Sequence, residues 1–148
     1  MIQQIITDTE ILKCISEPVS RIDDPQDLAK LFKDLEDTVN ARHGKLVVAG
    51  LAAVQIGVLK RVLIINYGQY RNLILINPKL SEASGRMKHD EICLSVPGKV
   101  VRRTRKQYVR VDYLDRHWNP KSQVFTGLDA VIIQHEMDHL DGRTLHDE

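Results

Sequence analysis

The sequence predicts an α+β domain: a partly antiparallel β-sheet packed around a C-terminal helix, with one helix near the N-terminus. Three observations carry this expectation. Apolar residues recur at helical spacing after Pro25, short β-branched runs fill the middle of the chain, and a second helical stretch follows them.

The first helix begins where Asp24 offers a capping oxygen and Pro25 brings a preset φ to the first turn. Leu28, Leu31, Phe32, Leu35 and Val39 then recur at steps of three or four and share one face. The pattern fades over Arg42-His43-Gly44, with Gly44 as its stop. From there to about Phe125 the chain reads mainly as strands. Residues 61–67 and 73–77 are β-branched runs, and Pro78, which has no N–H to donate, is expected to limit the second. Residues 108–114 alternate in polarity, as in a strand with one wet face. His117-Trp118-Asn119-Pro120 reads as a turn into a last strand at 123–125. The closing helix is expected over about 128–141, with Thr126 as cap and Gly142 as stop.

The 148 residues suit a single domain spanning 1–148, long enough to bury roughly 70% of the unfolded surface. Lys plus Arg number 21 and Asp plus Glu 20, a balance that argues against DNA or an anionic membrane as partner. No apolar run approaches the ~20 residues of a membrane span. Residues 1–10 lack a basic flank, a long apolar stretch and a cleavage site, and no Arg-rich leader is present, so a cytoplasmic protein is expected. Two cysteines cannot build a disulfide framework, which points to a reducing compartment. Cys14, within Ile11-Leu12-Lys13-Cys14-Ile15, is expected to be a packing residue.

The strongest chemical signal is Gln134-His135-Glu136-Met137-Asp138-His139. His135 and His139 are one helical turn apart, so both imidazoles project from one face and can hold one metal ion. Glu136 adjoins the first and can reach a metal-held water without being a ligand, the place of a general base. Leu128, Val131 and Ile132 share the face of His135 and make it apolar. A catalytic site needs a third protein ligand and an open position. His146 reads as tail, because a metzincin protease would place its ligand at 145, where Leu145 stands. Cys93, in Glu91-Ile92-Cys93-Leu94-Ser95 before a turn-forming Pro97-Gly98, is the better candidate, since its thiolate would complete a His2Cys set. In Gly50-Leu51-Ala52-Ala53-Val54-Gln55-Ile56-Gly57 the small residues allow close backbone approach. Gln55 there offers a neutral donor for an oxyanion that forms only in the transition state.

In order, GLAAVQIG, EICLS and QHEMDHLDG resemble the three signature segments of the peptide deformylase family: Gly-x-Gly-x-Ala-Ala-x-Gln, Glu-Gly-Cys-x-Ser and His-Glu-x-x-His. Ile76-Asn77-Pro78 and Glu82-Ala83-Ser84-Gly85 are similar to the text before the second segment, so the likeness covers about residues 10–145. The resemblance implies removal of the N-formyl group from the starting methionine of new polypeptides, with release of formate. It implies Cys93, His135 and His139 as metal ligands and Glu136 as the group that takes and returns the proton. The side chain of Gln55 and the backbone N–H of Leu94 would hold the oxyanion. The substrate would add as a strand beside Ala49 and Gly50, with its methionine walled by Leu128, Val131 and Ile132. The family's usual ion is iron(II), and zinc, nickel or cobalt can substitute. The implied partner is the N-formylmethionyl nascent chain. The ribosome is a further one, although the six residues after Gly142 leave no room for the docking helix of some bacterial members.

The chain departs from the pattern at Val48 for the first Gly, Val54 where Pro is common, Ile92 for the Gly between Glu and Cys, and Val100 where many members carry a peptide-anchoring Arg. Arg105 is near enough in sequence to pair with Glu91. The expectation is an intact metal centre with altered substrate handling. Two alternatives compete with the active enzyme: a deformylase-like binding module with weak or lost activity, and a zincin-type endopeptidase read from the helix motif alone.

Overall fold

The computed structural model describes residues 1–44 and 46–147. A short helix, α1 (Thr9–Leu12), precedes the expected one, α2 (Pro25–Asn40). Asp24 caps α2, its carboxylate accepting from the N–H of Gln26 at 2.8 Å. The chain then enters β1 (Gly50–Ala52), a 3-10 turn at Ala53–Ile56, and β2 (Val62–Ile65). The remaining strands are β3 (Leu73–Ser84), β4 (Met87–Cys93), β5 (Val96–Arg105), β6 (Tyr108–Leu114) and β7 (Pro120–Thr126), before α3 (Gly127–Leu140).

Five strands form one sheet in the order β1-β2-β3-β6-β7, while β4 and β5 pair as a separate hairpin. All these pairings are antiparallel; a parallel bridge, Glu17 with Lys60, stands outside the strands. The two helices cover opposite faces of the central sheet. Val62 and Ile64 turn to α2 and pack with Leu31, Leu35 and Val39. Leu63 and Ile65 turn the other way, to Ala130, Ile133 and Leu140 of α3. This two-sided burial explains why β2 is apolar without interruption.

Several boundaries differ from expectation. α2 ends at Asn40 with Ala41 as its C-cap, so Gly44 is not its stop, and β2 is shorter than the apolar run 61–67. β3 does not stop at Pro78 but runs six residues past it to Ser84. The register between β3 and β6 shifts between Ile76 and Lys79, and Asn77 sits at φ 50°. That bulge puts the proline where the ladder needs no N–H. The side chain of Asn77 secures the bend by accepting from the N–H of Val19 (2.8 Å) and donating to its carbonyl (2.9 Å). The turn after Cys93 falls on Leu94-Ser95, and Pro97-Gly98 lies inside β5, with Gly98 at φ 78°. The last strand occupies seven residues, Pro120–Thr126, because all seven pair with β6. Thr126 stands at the N-cap of α3 with extended backbone but makes no capping hydrogen bond.

The far end of α3 is locked to the start of the chain. Ser16 N–H and Arg61 Nη1 both donate to the Leu140 carbonyl, at 3.0 and 2.8 Å. Gly142, at φ 74°, approaches Lys13 so closely that a Cβ there would stand 2.3 Å from its carbonyl oxygen. Cys14 is not a packing residue. It lies past the end of α1, exposed, with its thiol donating to the Glu10 carbonyl at 3.3 Å. Leu12 is the residue of that turn that is buried. Among the described residues no helix is long and apolar enough to cross a membrane.

Candidate metal centre

The β4–β5 hairpin brings Cys93 against α3. Its Sγ lies 3.4 Å from His139 Nε2, and one ligand atom from each of Cys93, His135 and His139 falls within 4.8 Å of the other two. The two imidazoles meet edge to face, 5.1 Å between centroids, as one-turn spacing on α3 requires. Cys93 and His139 are buried and His135 is half-buried. His146 is exposed and stands apart, while its neighbour Leu145 is buried against Cys93, Val96 and Val101.

The second nitrogen of His135 is already used. Its Nδ1 lies 2.8 Å from Glu91 Oε1, which leaves Nε2 as the coordinating atom. Glu91 is held in turn by Arg105, whose Nε and Nη2 each donate to it at 2.8 Å, and Arg105 Nη1 reaches Asp138 at 2.5 Å. Burial alone would raise the Glu91 carboxyl, but Arg105 and then His135 overcome it and hold the group at about 2. Burial opposes charge on His135 as well, yet Cys93 and Glu91 prevail and raise it to about 10. His139 goes the other way, pushed by burial and by the His135 charge down to about 3. One thiol and two imidazoles, one of them oriented by a carboxylate, are a donor set that fits a first-row divalent ion.

Glu136 points to the same place but is no part of the cluster. It is buried, its Oε1 has no partner, and burial pushes its carboxyl up to about 7. Gly50 allows this position, because a Cβ there would meet Glu136 Cγ and Oε2 at 3.0 Å and the Ile64 carbonyl at 3.1 Å. Gln55 sits in the 3-10 turn with its Oε1 accepting from Ala52 N–H at 2.9 Å. That contact turns its Nε2 toward Cys93 Sγ (3.6 Å) and Ser95 Oγ (3.1 Å).

These groups open into a cavity of about 220 Å³. Leu94, Gln55, Cys93, His135 and Glu136 border it, and Leu128, Val131 and Ile132 of α3 form an apolar wall. Ala49 and Gly50 line it as well, with Val48 beside them. The structure thus brings together all eleven residues singled out from the sequence. Of the departures, Val54 is fully buried, whereas Ile92 and Val100 are exposed. The bulk of Ile92 falls on the cavity rim.

Three contributors were missed. Ser95 holds the Gln55 amide, and Asp138 completes the charge chain through Arg105. Gln134 ties α3 to Lys106, accepting from its N–H at 3.0 Å and donating to its carbonyl at 2.8 Å. Asp138 was readable in principle, since it lies one turn after Gln134 and three residues after His135 on the same helix. Ser95 and Gln134 depend on contacts between distant segments and carry no local signal.

A family model described as polypeptide deformylase matches residues 2–148. The peptide deformylase of Aquifex aeolicus (strain VF5) is 38% identical over 148 residues, covering 97% of this chain and 84% of that protein. Among solved structures, the class I type b peptide deformylase of Acinetobacter baumannii superposes with a TM-score of 0.90 at 31% identity, covering 100% of this chain and 99% of that one. Another structure of it, bound to Met-Ala-Ser, gives a TM-score of 0.88 at 30% identity over 100% and 99% of the two chains. The HExxH helix alone fits many metallopeptidases, but with Cys93 of β4 clustered beside its two histidines and a family match over residues 2–148, the chain belongs to the peptide deformylase family.

Proposed function

We propose that the chain removes the formyl group from N-formylmethionine at the start of new polypeptides through a division of labour among the residues around Cys93. The observation that carries this reading is Cys93 Sγ set 3.4 Å from His139 Nε2, beside the buried carboxyl of Glu136. Cys93, His135 and His139 would hold one divalent ion, whose Lewis acidity lets water act as a nucleophile at neutral pH. On the family resemblance we assign iron(II) as the resident ion, with zinc, nickel and cobalt as substitutes that a His2Cys set accepts.

Glu136 does the proton work. Its carboxyl, raised to about 7, takes a proton from the attacking water as the oxygen adds to the formyl carbon. It returns that proton to the methionine nitrogen as the carbon–nitrogen bond breaks, so that formate and a free amine leave. Gln55 Nε2 and the Leu94 N–H hold the oxyanion between these steps. Gln55 is well suited, since Ala52 and Ser95 fix its amide before substrate arrives. Leu128, Val131 and Ile132 receive the methionine side chain, and Ala49 and Gly50 present backbone to the peptide. Met-Ala-Ser, bound by the Acinetobacter baumannii protein, is the kind of product this reaction leaves. The nascent chain is accordingly the partner, and the cytoplasm, where formyl-initiated translation runs, is the compartment we assign.

Anaerobic purification with iron(II) and a formate assay on formyl-Met-Ala-Ser test the reading. Release well above that of Glu136→Ala is expected; equal release would end it.

A further inference from the structure

We propose that this enzyme selects formyl-methionyl chains whose next residues are apolar, using an apolar collar at the mouth of the cavity; this rests on the deformylase reading of the same site. Large hydrophobic side chains scattered singly over a surface need no explanation. Here four gather in one place. Leu46, Val47 and Ile92 border the cavity and are 44%, 85% and 51% exposed. Val100 joins them on the outer face of the β4–β5 hairpin. Asp90 pairs with Arg102, and exposure alternates along both strands there, so Ile92 and Val100, each two residues on, face outward with that pair. Val100 is 66% exposed.

The collar continues the methionine wall outward. A linear peptide with its formyl group beside Cys93 and its methionine against Val131 must pass its following side chains through this mouth. On that face Asp90 and Arg102 are cross-strand partners with Arg102 Nη1 3.0 Å from Asp90 Oδ1, so the pair adds no net charge beside the collar. Apolar side chains, by contrast, would cover surface that water now wets.

The test compares kcat/KM of the iron(II)-loaded enzyme for formyl-Met-Leu-Leu, formyl-Met-Asp-Asp and formyl-Met-Lys-Lys. Half-burying two leucines against the collar should favour the first by about tenfold or more over both others. In the double variant I92S/V100S the ratio should fall toward one. Equal kcat/KM across the three peptides, or a ratio that survives the double variant, would overturn the proposal. Calorimetric binding of Met-Leu-Leu and Met-Asp-Asp to the same metal-loaded protein separates the two levels. Tighter binding of Met-Leu-Leu without formate release supports the collar and removes the deformylase reading. Formate release with equal binding does the reverse.

Discussion

Glu91 Oε1 lies 2.8 Å from Nδ1 of His135, so a single carboxylate decides which imidazole nitrogen faces Cys93. The arrangement continues outward through Arg105 to Asp138, and both acids bracket one buried guanidinium. Charges in this chain alternate in sign, which is why they can be buried together beside a cluster that will itself receive a cation.

Glu91→Ala should weaken metal binding by about 10–100-fold, as loss of an orienting carboxylate does elsewhere. It should also cost about 3–5 kcal/mol of stability, because Arg105 stays buried with only Asp138 to answer it. Competition with a chelator measures the first and urea unfolding the second. Unchanged affinity would mean that Glu91 does not set the ring.

Acid should unfold the metal-free protein through the same residue. The Glu91 carboxyl is held at about 2, below its ordinary 4.5, so the folded state binds its proton less readily than the unfolded state. The stability it contributes is fully present above pH 4.5 and drains away as pH falls toward 2. Urea midpoints of metal-free protein between pH 2 and 6 should show this slope. In Glu91→Gln the slope should flatten.

Metal uptake should release protons. Without the ion, the imidazole of His135 stays protonated up to about pH 10, and only the neutral ring can coordinate. Apparent affinity should therefore rise by about tenfold per pH unit through neutrality. Calorimetry in buffers of different ionisation heat should count at least one proton expelled per ion. A count of zero would contradict the charge state drawn for His135.

Gly50→Ala should cut kcat/KM while leaving metal content intact. The added methyl would stand 3.0 Å from Glu136 Cγ and 3.1 Å from the Ile64 carbonyl, and the backbone partner cannot yield. Glu136 must then move from its position beside the cluster. Elemental analysis and a formate assay on the same sample separate displacement of this acid from loss of the ion.

Much of this architecture is legible without coordinates because its signals are local. The Asp24-Pro25 start, the apolar stripe ending at Val39 and the one-turn separation of His135 and His139 each follow from helix geometry. Failures occurred where distant segments overrule a local rule. Pro78 marks a strand end only if the ladder needs its N–H, and the bulge closed by Asn77 and Val19 removes that need. Cys14 reads as core within its five-residue neighbourhood, but α1 ends at Leu12 and leaves it in solvent. Ser95 gains its hydrogen bond from Gln55, forty positions away, a partnership that spacing along the chain does not encode.

Gly142 has a consequence for how the protein comes into being. Its missing side chain is the gap into which the Lys13 carbonyl fits, so the last helix is seated against one of the first turns. The ribosome makes residue 13 long before residue 142, and Cys93 emerges well ahead of the two histidines. An early-made half therefore waits with its seat empty, and the cation can be captured only once both histidines have emerged.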